Sequence, residues 1–257
     1  MMDNWLAAFR EGVETLALTM SAEQEDRFAR FLTLLLVALA AQAADVCVPT
    51  QFTGSYAFEL AGQTTISGTA QPAVALGRMT LDSNGKLSGT SSVKFAGYLL
   101  GNPVNGTYEA HQDCTVTWQL QDDSGAYQHF SGKFTPDGMQ VEFRQTDTGG
   151  VRHGIMQKTP DSCNSSDLKP RYSFGLSGSG IPMLPGEAAY KVSDKGTIDT
   201  VREGNFQVDD DCAVHFTLTS PSGTLNMRGF LVNGGKEILA FQTDPGAMVA
   251  AHLTAVP

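Results

Sequence analysis

From Gly54 to the C-terminus, apolar and polar side chains alternate in short runs separated by turn-forming residues. Tyr56, Phe58 and Leu60 share one parity against Ala57, Glu59 and Ala61. Val116, Trp118 and Leu120 oppose Thr115, Thr117 and Gln119, and Met139, Val141 and Phe143 oppose Gln140, Glu142 and Arg144. Val214, Phe216 and Leu218 repeat the scheme further on. A period of two is that of a β-strand with one buried face. Between the runs stand Ser83-Asn84-Gly85, Asp123-Ser124-Gly125, Pro136-Asp137-Gly138 and Asn233-Gly234-Gly235, residues that reach the left-handed conformations of tight turns at little cost. No segment beyond Ala44 sustains a helical period. The pattern predicts an all-β chain of hairpin-linked strands, which must pair antiparallel.

One segment departs from this pattern. Phe31 to Ala41 reads FLTLLLVALAA, shorter than the roughly 20 apolar residues that span a bilayer but the size of a secretory signal core. Arg27 and Arg30 precede it and Ala41-Gln42-Ala43 offers a small-x-small cleavage site. Residues 1–43 therefore read as leader and signal peptide, with the mature chain starting near Ala44, secreted or periplasmic, and no stable membrane span after cleavage. The alternative is a retained anchor. Upstream, Trp5, Phe9, Val13 and Leu16 fall at helical spacing among acidic residues. That stretch reads either as an amphipathic helix or, as we prefer, as sequence ahead of a true start at Met20.

The remaining chain is duplicated. Gly54-Ser-Tyr-Ala-Phe-Glu-Leu-Ala-Gly62 matches Pro170-Arg-Tyr-Ser-Phe-Gly-Leu-Ser-Gly178 at an offset of 116, which also relates Cys47 to Cys163. Gly106-Thr-Tyr108 through Asp113-Cys114-Thr-Val116-Thr-Trp118 matches Gly204-Asn-Phe206 through Asp211-Cys212-Ala-Val214-His-Phe216 at an offset of 98, which also relates Phe143 to Phe241. One residue out of step, Gln145-Thr-Asp147-Thr-Gly149 matches Gln242-Thr-Asp244-Pro-Gly246. Matching Gly85 to Gly196 places most of the missing residues of the second copy between Gly85 and Gly106. The first copy there holds Val93 to Leu100, an extra strand or enlarged loop, and Phe95, Tyr98, Leu99 and Leu100 are expected to find burial against the barrel mouth or the other copy. Two repeats, 47–159 and 163–257, follow. Each is predicted to close into a small antiparallel β-barrel, which removes exposed edges; a pair of β-sandwiches is the alternative. Each repeat is also expected to fold alone, so that the fragment 163–257 should be independently stable.

Four cysteines in an exported chain point to disulfides, and they lie too far apart in sequence for the close pairs that hold zinc. The duplication selects Cys47–Cys114 and Cys163–Cys212 among the three pairings. The formal charge of −10 argues against nucleic-acid binding, which needs clustered Lys and Arg.

Candidate chemistry is sparse. His111, His129, His153, His215 and His252 do not recur between copies; His129 aligns with Met227 at the offset of 98. No zinc-protease, hydrolase-elbow or phosphate-loop motif occurs, and no metal or cofactor is expected. Asp209-Asp210-Asp211 reads as a solvated acidic turn rather than a calcium site, because the first copy has His111-Gln112-Asp113 there. Asn105-Gly-Thr and Asn164-Ser-Ser fit the glycosylation sequon. The recurring Gln-Thr-Asp-x-Gly supplies two ligand-binding candidates, Asp147 and Asp244, which read either as mouth carboxylates or as turn residues accepting backbone N–H bonds. Glu59, a charged residue in the first strand, is a third. The recurring aromatic set Tyr56, Phe58, Trp118, Phe143, Tyr172, Phe174, Phe216 and Phe241 reads as core, or as the wall of an aromatic pocket.

The succession G-x-Y-x-F-x-L-x-G, an Asn-Gly or Lys-Gly turn, G-x-[YF]-x-x-x-x-D-C and Q-T-D-x-G resembles a family of exported bacterial domains, often duplicated and without assigned function. That family is similar to the small barrel of plant allene oxide cyclases. The resemblance covers residues 47–257 and implies the barrel; no local motif places the cyclase pocket residues on this chain. A non-catalytic exported binding or surface-interaction module, taking a small apolar ligand if any, is the leading expectation. An enzyme of cyclase-like type acting on a small apolar substrate in one barrel is the alternative. An open cavity holding a buried titratable residue would decide between them.

Overall fold

The alternating runs become strands in a computed structural model, which describes residues 46–257 apart from 67, 96–97, 123–124, 126, 181–189, 201–204 and 221–222. The signal, its cleavage site and the segment before it lie outside the described residues. In the first repeat β1 (Gly54–Ile66), β2 (Thr69–Leu81), β3 (Lys86–Phe95), β4 (Tyr98–Ala110), β5 (Thr115–Asp122), β6 (Tyr127–Phe134), β7 (Gln140–Gln145) and β8 (Val151–Lys158) form a closed antiparallel barrel. Each strand pairs with the next, and β8 returns to β1 with Phe58 opposite Met156. The inward parity carries Tyr56, Phe58, Leu60, Ala75, Met79, Val104, Val116, Trp118, Leu120, Phe130, Val141, Phe143 and Met156 as one buried core.

Up-and-down order sorts the turns to two ends. The β2–β3, β4–β5 and β6–β7 turns share one end with the entering chain, and that end is sealed. A single 3-10 turn at Pro49–Gln51 leads into Phe52, which is fully buried with its ring centroid 5.1 Å from Tyr56, 5.2 Å from Phe134 and 5.7 Å from Tyr108. The Cys47–Cys114 disulfide ties this segment to the β4–β5 turn, and the Tyr56 hydroxyl donates to the Gly138 carbonyl at 2.7 Å.

The second repeat rebuilds the same floor. Cys163 bonds Cys212, so both disulfides pair as the duplication requires. The Tyr172 hydroxyl donates to the Gly235 carbonyl at 2.6 Å, and Cys163 N–H donates to Asp210 O as Cys47 N–H does to Gln112 O. Its strands are β9 (Arg171–Gly180), β10 (Tyr190–Asp199), β11 (Gln207–Val208), β12 (Ala213–Ser220), β13 (Gly223–Val232), β14 (Glu237–Gln242) and β15 (Ala247–Ala255), in the order β10-β9-β15-β14-β13-β12-β11. Of the two barrels expected, one is closed; the second repeat is an open seven-stranded sheet among the described residues.

Two glycines that face phenylalanines explain the difference. Gly77 stands opposite Phe58 and Gly196 opposite Phe174. A Cβ at Gly77 would come within 2.5 Å of the Phe58 ring, and one at Gly196 within 2.6 Å of the Phe174 ring. The partner of Gly196 is therefore Gly77, not Gly85. The stretch from there to Tyr108, which contains all of β3 and most of β4, has only a short counterpart before Phe206. The β3–β4 hairpin is what closes the first barrel, and the described second repeat has none.

The repeats pack as one unit. Ala57, Leu76 and Ile155, on the outer face of β1, β2 and β8, join Ala213, Phe230, Val232, Leu239 and Phe241 in a separate buried cluster. Phe241 thus does not repeat the role of Phe143. Beyond the β5–β6 turn the copies are related by 97 residues, not 98, since Gly132 and Gly229 occupy matching places. A slip of one residue exchanges the two faces of a strand, so Ala240 takes the core position and Phe241 faces the first repeat. Around the apolar patch, Lys94 is wholly buried and its Nζ donates to the carbonyls of Gln242 at 2.9 Å and Asp244. Arg228 Nη1 donates to Ser92 Oγ at 3.0 Å, and Gln157 Nε2 to Glu237 Oε2 at 2.8 Å.

Candidate site at the mouth of the first barrel

The β1–β2, β3–β4, β5–β6 and β7–β8 turns share the end opposite the sealed floor. Five exposed apolar side chains stand at this rim: Tyr98 is 64% exposed, Val151 64%, Tyr127 53%, Leu100 44% and Leu99 42%, while Val46, Val48 and Met139 are exposed at the floor end. The burial expected for Tyr98, Leu99 and Leu100 is not found, because the tip of the β3–β4 hairpin runs past the point where the barrel core ends; of the described residues from 93 to 100, Val93 alone packs partly against that core.

Beneath the rim lies an interior cavity of about 50 Å³. Phe58, Leu60, Ala75, Val93, Val104, Leu120 and Phe130 form its apolar wall, and Ser91, Asn102, Gln128 and Arg152 its polar part. The guanidinium of Arg152 is the one charged group among the described lining residues. Arg152 is 6% exposed and sits on the inward parity of β8 with Met156. Nε donates to Gln145 Oε1 at 2.7 Å and Nη2 to Gln128 Oε1 at 2.8 Å. Burial lowers its pKa, while the charge of Asp147 supports the cation.

The recurring Gln-Thr-Asp-x-Gly motif frames this site. Gln145 Nε2 donates to Asp147 Oδ2 at 2.9 Å. The same oxygen accepts the His129 backbone N–H at 2.8 Å, and Asp147 Oδ1 lies 2.7 Å from His129 Nδ1. Burial raises the pKa of Asp147, but these hydrogen bonds outweigh it and hold the carboxyl below its usual range. Asp147 thus fastens the β7–β8 turn to β6 and reaches Arg152 only through Gln145. In the second repeat Gln242 Nε2 donates to Asp244 Oδ2 at 2.8 Å, and Asn226 holds Asp244 through its backbone N–H at 3.0 Å and Nδ2 at 2.6 Å. The structural counterpart of His129 is therefore Asn226, one residue before the Met227 that the sequence match selected.

The copies part at the next position. Arg152 stands opposite Gly62, and Val249 opposite Gly178. Both glycines have φ near +150°, and a Cβ on either would lie 2.1 Å from a carbonyl of the facing strand. With valine in the arginine's place, Gln242 Oε1 is buried without a partner.

Glu59 lies elsewhere. It is on the outer face of β1 opposite Leu76 and Ile155, beside the cluster between the repeats, where burial pushes its pKa up to about 7. All five histidines are exposed. Asp209 lies 3.5 Å from His215, and Asp211 Oδ1 accepts the Ala213 N–H at 3.0 Å. Asn105 and Asn164 are exposed, and Asn164 caps a 3-10 turn at Ser165–Asp167. Among the described residues no group of three or more His, Cys, Asp or Glu is placed to hold a metal, and no helix is long and apolar enough to cross a membrane. A larger groove of about 500 Å³ crosses the outer face of β4–β6, past Thr107, Glu109, Thr117, Gln119, His129 and Ser131. It is open along its length, with Tyr108, Trp118 and Phe130 also on its lining.

Arg152 was missed in the sequence, although the signal was present: a lone cation on the parity shared by Gly154 and Met156.

No family model and no curated protein matches this chain. Among solved structures, a Nitrosomonas europaea protein provisionally named AttH aligns at 9% identity over 83% of this chain and 95% of its own, with a TM-score of 0.26. A porin-like protein from Bacteroides uniformis aligns at 12% identity over 81% of this chain and 99% of its own, with a TM-score of 0.16. At such scores the overlays carry no inference.

Proposed function

We propose that this chain is an exported, non-catalytic binding protein whose first barrel takes a small apolar ligand through its open rim. The observation that carries this reading is the cavity beneath that rim, sealed at the far end by Phe52 and walled mainly by apolar side chains. Exposed apolar side chains clustered at an opening are a feature of ligand and partner sites, and a small eight-stranded barrel either fills with side chains or holds one small ligand. Export is supported by the two disulfides and by the apolar segment at 31–41. We read the second repeat as a barrel that has lost its closing hairpin and now serves as a buttress, its β12–β15 face covering the outside of β1 and β2.

The cyclase-like enzyme reading needs an acid or a base at the substrate. The described lining offers a hydroxyl, two amides and a guanidinium, but no carboxylate, thiol or imidazole, so binding is favoured over catalysis. Trp118 tests it directly: its ring stacks 5.4 Å from that of Phe130, which lines the cavity. In the full chain carrying Trp5→Phe, Trp118 is the sole indole. Titration with short aliphatic alcohols and acids should change its emission saturably. A response that only grows linearly with additive concentration would remove the binding reading.

A further inference from the structure

We infer that the first barrel binds a short-chain carboxylate, with the carboxylate on Arg152 at the mouth and the apolar chain directed into the cavity. This rests on the binding reading above and adds the chemistry of the head group. A guanidinium carries five N–H donors, and Gln145 and Gln128 take only two. No carboxylate of the described residues lies within ion-pair distance of Arg152; Asp147 is joined to it through Gln145. A buried cation that the Asp147 charge supports only from beyond ion-pair distance is costly, and such groups concentrate at functional sites.

The duplication shows that this cost is not a requirement of the fold. The second repeat keeps the glycine opposite, the glutamine and the aspartate, at Gly178, Gln242 and Asp244, and places Val249 where the first has Arg152. The frame therefore forms without the cation, even leaving Gln242 Oε1 unpaired. Arg152 is better explained by what enters the cavity than by what surrounds it.

Geometry selects the ligand. The donors left on the guanidinium can fork onto a planar oxyanion, the arrangement that favours carboxylates, with Asn102 and Ser91 also on the lining. The walls below are hydrocarbon. A volume of about 50 Å³ holds roughly four water-sized groups, which suits a chain of a few carbons and not a long fatty tail.

The test is calorimetric titration of the full chain with butanoate, butan-1-ol and octanoate. Butanoate should bind about tenfold or more tightly than butan-1-ol, the scale of one charge-assisted hydrogen bond, and more tightly than octanoate. Arg152→Met should abolish that preference, lowering the affinity for butanoate about tenfold more than that for butan-1-ol, and Ala75→Met, which fills the cavity but keeps the cation, should weaken both. Equal binding of acid and alcohol would overturn the head-group assignment and leave the apolar-binding reading standing. Tighter binding of octanoate would overturn the size assignment, and no binding of any probe would overturn both readings. The comparison of acid with alcohol uses the unaltered chain, so it decides the question even if Arg152→Met does not fold.

Discussion

The amide oxygen of Gln145 lies 2.7 Å from Nε of Arg152, and the corresponding oxygen of Gln242 is buried with no partner. One frame is thus built twice and loaded once. Replacing Gln145 with Leu should strand a buried guanidinium N–H and remove one of the bonds to Asp147, which keeps those from His129, costing about 2–3 kcal/mol. Gln242→Leu should cost less, because one of the two polar atoms it removes has no bond to lose. Urea unfolding of both variants measures the difference; equal losses would mean that the Arg152 contact contributes nothing.

Glu59 predicts a pH dependence. Its pKa in the folded chain, about 7, is above the ordinary 4.5 because burial disfavours the carboxylate. The penalty is absent below about pH 4.5, grows as pH rises toward 7, and is complete above that. Glu59→Gln should therefore stabilise the protein at pH 8, by about 2 kcal/mol after allowing for partial exposure, and leave it nearly unchanged at pH 4. Melting temperatures at the two pH values check this, and a variant less stable at pH 8 would contradict it.

The cluster between the repeats gives the fragment 163–257 a specific liability. Phe230, Val232, Leu239 and Phe241 are buried together with Ala57, Leu76 and Ile155, and without the first repeat they form an exposed apolar face. The oxidised fragment should self-associate, and Leu239→Lys with Phe241→Lys should relieve that. In the full chain, Phe241→Ala should cost about 3–5 kcal/mol. Light scattering of the fragment and denaturant unfolding of the full chain are the readouts; a monomeric unaltered fragment would show the repeats to be independent.

Each disulfide fastens a floor segment to a turn of its own repeat, closing loops of 67 and 49 residues. In the chain-entropy model each contributes about 4 kcal/mol. Removing Cys47–Cys114 by paired substitution with Ala should loosen the seat of Phe52 as well, so it should cost at least as much as removing Cys163–Cys212. Unfolding of the two double variants ranks them.

The strands and both disulfides were legible because they follow from alternation, turn residues and matched cysteines. The faces of β14 were not, because the copies slip from an offset of 98 to 97 at the β5–β6 turn, and a single step moves Phe241 from core to interface. The open second sheet was hidden for a related reason. Gly85 and Gly196 look alike in sequence, but only Gly77 shares with Gly196 the need to clear a phenylalanine ring. The exposure of Tyr98, Leu99 and Leu100 was illegible because an apolar residue in a strand pattern signals burial, and only closure of the barrel shows which strand ends run past the core. Asp147 and Asp244 could be seen as a recurring pair, but their partners His129 and Asn226 lie outside the motif, and only the pairing of neighbouring strands brings them together. The group most relevant to ligand binding, Arg152, is the member of the frame that does not recur, so the search for repeated polar residues passed over it.

Amide chemical shifts of the ¹⁵N-labelled full chain, recorded with and without butanoate, test the central claim most directly. The account predicts saturable shifts confined to the lining near the mouth, at Ser91, Val93, Asn102, Gln128, Phe130 and Arg152, with the second repeat unmoved. Shifts centred on the second repeat or on the outer groove of β4–β6, or none at all, would contradict it.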